Sequence, residues 1–136
     1  MNRLTTFLAC ALLGVSSLAS ADPADTVLVS QTELLKRLEQ KDPDLVVLDV
    51  RTADEFAAGH VPGARNVSHE LLASRLDELA TVRDKQVVLY CRSGRRTLLA
   101  EDVLRKAGFK RLGHLEGDYL AWEAEKRPVE RSPAAD

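Results

Sequence analysis

Two short apolar runs without alternation organise the chain: Leu45-Val46-Val47-Leu48 and Val87-Val88-Leu89-Tyr90. Such runs predict strands covered on both faces, as in a parallel sheet. Around them the periodicity turns helical. Ser30 and Glu33 form a capping box with Leu34, Leu35 and Leu38 striped behind it, and Asp42-Pro43 stops that helix. Thr52 and Glu55 form a second box for a short helix. Ser68 is expected to cap another, with Leu71, Leu72, Leu76 and Leu79 on its apolar side. A longer helix follows the loop after Tyr90 and runs to about Ala107, with Gly108 as its stop. Minor strands are expected at Val27–Val29, Arg65–Val67 and Lys110–Leu115. Glu116-Gly117-Asp118 then turns into a final helix carrying Tyr119, Leu120 and Trp122. Trp122 and Phe56 read as core. Strands alternating with helices predict an α/β fold with a mainly parallel, about five-stranded sheet flanked by helices. Ligands of such sheets bind beyond the carboxyl ends of the strands. Asp49-Val50-Arg51 and the loop opened by Cys91 fall there.

The ends of the chain read differently. Arg3 precedes an uncharged apolar stretch, Leu4 to Leu18, and Ala19-Ser20-Ala21 offers a small-x-small cleavage site. The expectation is a signal peptide over residues 1–21, hence an exported protein, periplasmic in a host with two membranes. The stretch is short for a membrane span. Cys10 raises a lipoprotein alternative, but it sits mid-run with Phe7 where a lipobox wants Leu. No stable membrane association is expected. One domain follows over 22–129, with a disordered polar tail over 130–136.

The whole chain has 19 basic and 21 acidic side chains, and removing Arg3 with the leader leaves a balance of −3. That excludes a basic nucleic-acid-binding surface, and 4% aromatic residues gives little for base stacking. Cysteine usage changes the picture more. Cleavage removes Cys10 and leaves Cys91 alone, so it has no internal disulfide partner.

Cys91 directly follows a buried strand and precedes a helix. Gly94 lets the loop curl its amides inward, the helix start adds positive dipole, and Arg92, Arg95 and Arg96 add full charges. All of these favour thiolate over thiol. The bland alternative, a cysteine serving as a small core residue, leaves three arginines and a glycine unexplained.

Three segments resemble the rhodanese family over about Val27 to Glu125. They are Leu48-Asp49-Val50-Arg51 with Glu55-Phe56 and Gly59 to Val67, then Tyr90-Cys91-Arg92-Ser93-Gly94-Arg95-Arg96-Thr97, and finally Leu115 to Trp122. The resemblance implies sulfur transfer through a Cys91 persulfide, from thiosulfate or another anionic donor to cyanide or a thiol. It implies substrate contacts from Arg92, Ser93, Gly94, Arg95 and Arg96, with Arg96 the stronger donor-binding candidate and Arg95 the weaker. Asp49 and Arg51 are supporting residues, either orienting loop arginines or holding the fold, with Arg51 pairing Glu55. No cofactor is implied. His60 reads as a turn residue; His69 and His114 lack ligand spacing, so no metal is expected. The family usually has paired glycines where this chain has Gly117-Asp118; Asp tolerates the left-handed region, and any effect is expected at the pocket rim.

Other functions compete. A cysteine phosphatase needs five residues between Cys and Arg, whereas four separate Cys91 from Arg96 and Thr97 stands at the sixth position. A partner-specific persulfide relay with a protein donor or acceptor, a non-catalytic binding module and a thiol redox sensor remain open. A monomer is expected.

Overall fold

The computed structural model describes residues 25–132. The expected leader with Cys10, and residues 133–136 of the expected tail, lie outside the described residues. The elements in order are β1 (Val27–Val29), α1 (Gln31–Glu39), β2 (Leu45–Asp49), α2 (Ala53–Ala58), β3 (Arg65–Asn66), β4 (Gln86–Tyr90), α3 (Arg95–Lys106), β5 (Leu112–Leu115) and α4 (Asp118–Ala124). The sheet runs β1-β5-β4-β2-β3, and every neighbouring pair is parallel.

The two apolar runs become the adjacent central strands, β2 and β4, registered from Leu45 opposite Gln86 to Asp49 opposite Tyr90. Alternate side chains point to opposite faces. Val46, Leu48, Val87 and Leu89 pack with Ala100 and Leu104 of α3 and with Leu72, Leu79 and Val82. Val47, Val88 and Tyr90 pack on the other face with Leu34 of α1 and with Tyr119 and Trp122 of α4. Both faces are covered, which is why neither run alternates. Because β2 and β4 end level, Asp49 and Tyr90 are neighbours, and the Val50 amide donates to the Tyr90 carbonyl at 3.1 Å.

Local chemistry sets the helix starts. The Ser30 hydroxyl accepts the Glu33 amide at 3.1 Å. At α2 the capping box is reciprocal: Thr52 Oγ1 accepts the Glu55 amide, and the Glu55 carboxylate accepts the Thr52 amide.

Three expectations are corrected. The helix expected after Ser68 is a pair of 3₁₀ segments, Leu72–Ser74 and Leu76–Val82, and no side chain caps either. A 3₁₀ coil rises about 2.0 Å per residue against 1.5 Å for an α-helix, so these few residues return the chain to the start of β4 while still burying Leu72, Leu79 and Val82. Phe56 is half-buried and belongs to neither core cluster; its ring stacks on His60 with centroids 3.6 Å apart. Glu130, expected to open a disordered tail, is hydrogen-bonded to His60 in both directions at 2.9 and 3.0 Å, and its carboxylate accepts the Gly63 amide. The amide-rich turn at Gly59–Gly63 supplies the donors that hold it.

Leu89 is fully buried in the middle of the central strands. Leu89→Ala is expected to cost about 2–5 kcal/mol in urea unfolding with an unchanged denaturant slope, whereas exposed Leu120→Ala stays within about 0.5 kcal/mol.

Candidate active site

Cys91 is the first residue after β4, and only 1% of its surface is exposed. No strand lies beyond Tyr90 to hold its backbone, so α4 does. The Cys91 carbonyl accepts the Tyr119 amide at 3.0 Å, and the Arg92 carbonyl accepts the Leu120 amide at 3.2 Å. The Cys91 amide donates to Asp118 Oδ1 at 2.9 Å. The loop then turns back on itself, and the Gly94 amide donates to Cys91 Sγ at 3.0 Å. Gly94 has φ of 107° and is the residue from which α3 starts. That backbone suits glycine, and a Cβ there would come within 3.0 Å of Asp118 Oδ2 and 3.6 Å of the His114 ring. The sulfur therefore rests on a backbone donor at the positive end of a helix, in the manner expected of an anion nest.

The loop arginines separate into different settings. Arg92 and Arg95 are exposed, as is Ser93; Arg96 is half-buried. Arg96 forms a two-pronged pair with Glu55, Nη1 to Oε2 at 2.6 Å and Nη2 to Oε1 at 2.9 Å. Glu55 and, more weakly, Cys91 favour its charged form. Arg96 in turn holds the Glu55 carboxyl down at about 2, with Thr52 assisting. A cleft of about 170 Å³ opens beside the loop, lined by Arg92, Arg51, Tyr119, Gly59, Glu55 and Glu123 among others. Arg92 thus lines open space, while Arg96 is engaged by a carboxylate.

Asp49 and Arg51 are a buried pair, and neither orients a loop arginine. Arg51 Nη2 lies 2.6 Å from Asp49 Oδ2 and donates to the Gly59 carbonyl at 2.7 Å. Its guanidinium lies 4.0 Å from the Tyr119 ring centroid. The pairing expected between Arg51 and Glu55 is replaced by Arg51–Asp49 and Arg96–Glu55, because residues two apart at a strand end share a face. His60 Nδ1 faces the Phe56 carbonyl at 2.7 Å, consistent with a turn residue.

Sequence reasoning missed a group beneath the loop. Asp118 points inward and is 4% exposed, so its effect falls on the loop's anchor; the expectation of a change at the pocket rim is corrected. Besides the Cys91 amide it accepts the Thr97 hydroxyl at 3.1 Å and meets His114 Nε2 at 2.9 Å. Burial opposes its charge, but His114, the Cys91 amide and Thr97 outweigh burial and hold its carboxyl below the usual range. His114 Nδ1 lies 2.9 Å from Glu101 Oε1 on α3. The departure from paired glycines was the only sequence signal for this cluster.

A buried cysteine held at the carboxyl end of a parallel sheet, on a glycine amide at a helix start, defines a cysteine-loop α/β domain. The chain belongs to the rhodanese-like domain family, whose model matches residues 30–125. It is 33% identical over 101 residues to a sulfurtransferase of Allochromatium vinosum, covering 74% of this chain and 92% of that one. It is 30% identical over 129 residues to a putative mitochondrial thiosulfate sulfurtransferase of Schizosaccharomyces pombe, covering 82% and 88%. The crystal structure of a rhodanese-related protein from Thermoplasma volcanium superposes with a TM-score of 0.66 at 25% identity, covering 76% and 97%. Sulfurtransferase is therefore the general class.

The Arg96–Glu55 pair has a pH signature. Glu55 ionises near 4.5 when unfolded and near 2 when folded, so the pair's contribution is present above about 4.5 and is lost as pH falls towards 2. Glu55→Gln is expected to unfold more readily at pH 7 and to lose part of the wild type's acid sensitivity between those values, measured by urea unfolding at pH 7 and pH 3.

Proposed function

We propose that the chain is an exported thiosulfate sulfurtransferase in which Cys91 carries sulfur as a persulfide. The observation that carries this reading is the Gly94 amide donating to Sγ at 3.0 Å at the start of α3. In the first half-reaction the Cys91 thiolate attacks the outer sulfur of thiosulfate. A new S–S bond forms, the thiosulfate S–S bond breaks, and sulfite leaves with its electron pair. In the second, cyanide carbon or a thiolate attacks the terminal sulfur, and the Cys91 thiolate leaves. Backbone donors and the helix start stabilise the anion on sulfur at each stage, as an oxyanion hole does for oxygen. Because Cys91 lies at the floor of its loop, a small anionic donor suits the first step. Arg92, on the cleft wall, and Arg96 supply positive charge for it; Ser93 and Gly94 shape the loop.

A second reading, transfer to or from a partner protein, is favoured by three exposed leucines near the loop: Leu98 and Leu99 in the first two turns of α3, and Leu120, whose amide binds the Arg92 carbonyl. Isolated exposed leucines are common, so thiosulfate remains the preferred donor. If Leu98→Ser and Leu120→Ser leave thiosulfate turnover intact but abolish sulfur delivery to a persulfide-accepting protein, the second reading gains.

Intact mass of residues 22–136 before and after thiosulfate, with sulfite and thiocyanate assays, tests the proposal. One added sulfur, removed by cyanide and absent in Cys91→Ser, is the expected result. A folded, reduced protein that takes up no sulfur overturns it. Arg96→Ala should lower turnover by roughly tenfold or more, as expected for loss of a charged hydrogen-bonding group. Arg95→Ala should change it little.

A further inference from the structure

The Glu101–His114–Asp118 cluster has no part in the transfer steps above, yet its geometry reaches the sulfur. Both imidazole nitrogens face carboxylates, Nδ1 towards Glu101 and Nε2 towards Asp118, each at 2.9 Å. The Asp118 contact has hydrogen-bond geometry, whereas Glu101 Oε1 is a buried oxygen without a hydrogen-bond partner and acts on the ring as a close charge; two carboxylates this near favour the imidazolium. The same ring backs Gly94, where a Cβ would lie 3.6 Å from it, and the Gly94 amide is the one on Sγ. Asp118, on the ring's other side, carries the Cys91 amide and the Thr97 hydroxyl. The ring thus lies beside Gly94 and, through Asp118, is linked to the Cys91 amide at the other end of the turn.

We propose that His114 is a positioning residue for Cys91: as an imidazolium between Glu101 and Asp118, it keeps Asp118 ionised and fixed beneath the sulfur-bearing turn. Glu101 reaches the ring from α3 and Asp118 from the start of α4, and Gly94 of the loop lies beside it. Neighbours in register on β1 and β4, Leu28 and Leu89, are uncharged. The Asp118 carboxylate and then that of Glu101 push His114 up to about 10, against burial. Across neutral pH His114 therefore stays in one charge state. The contribution of His114 to stability is complete below its unfolded value near 6.5 and is lost as pH rises through about 10. Without the cation, buried Asp118 and Glu101 lose the positive charge that lies between them.

The proposal rests on Cys91 being the reacting group, but its test does not require sulfur transfer. His114 is followed by NMR of its ring from pH 5 to 10.5, and Cys91 alkylation by iodoacetamide is profiled against pH in wild type, His114→Gln, His114→Lys and Asp118→Asn. The ring should stay protonated to at least pH 9. His114→Gln should acquire a second step in its alkylation profile below that of the thiol and unfold more readily. His114→Lys, which restores a cation, should return the profile to one step. Asp118→Asn, which removes the negative charge that holds the Cys91 amide, should move the profile to lower pH. A ring that titrates near 6.5, or a folded His114→Gln with the wild-type profile, overturns the proposal. The NMR arm decides even where a variant does not fold. Absence of a persulfide with these shifts intact would remove the sulfurtransfer reading and leave the positioning role standing; persulfide formation without the shifts would do the reverse.

Discussion

The hydrogen bond from the Cys91 amide to the Asp118 carboxylate addresses a difficulty built into this fold. Cys91 lies where β4 has run out of sheet, so its backbone lacks ladder partners, yet it is almost fully buried. Buried amides and carbonyls must find partners. The start of α4 supplies them to Cys91 and Arg92, and the loop is thereby tied to a helix that packs on the opposite face of the sheet from α3. The position of the sulfur thus depends on contacts from elements distant in sequence.

The far side of the loop is braced by ion pairs with different roles. Asp49–Arg51 is sealed under Tyr119 and locks the end of β2 to the Gly59 turn. Removing one partner of such a buried pair strands the other charge, which is why it reads as framework. Arg96–Glu55 is more open, and joins the first turn of α3 to the cap of α2. Glu55 therefore does two jobs, closing a capping box and holding a loop arginine.

Much of this was legible in the sequence. The unalternating runs gave β2 and β4, and with them the place where Cys91 had to emerge. Gly94 was expected to let the loop turn its amides inward, and the structure puts the Gly94 amide on the sulfur. What escaped was pairing between segments. Arg51 folds back onto Asp49 because both lie on one face of the strand end, leaving Glu55 for Arg96, which is 41 residues away. Glu101, His114 and Asp118 come from three elements, and pairwise ligand spacing, the test applied to histidines, is blind to a ring gripped by carboxylates. The 3₁₀ segments carry helix-like apolar spacing, but the distance they must span is a property of the sheet.

The depth of Cys91 has a consequence for recognition. With 1% of its surface exposed, the bare thiol offers almost nothing to a passing molecule. In the proposed persulfide, a sulfur added to Sγ would extend the side chain by one S–S bond, about 2 Å. On the proposed persulfide reading, loading would change what the surface displays, so an acceptor would distinguish charged from discharged protein by reach alone, without any movement of the backbone.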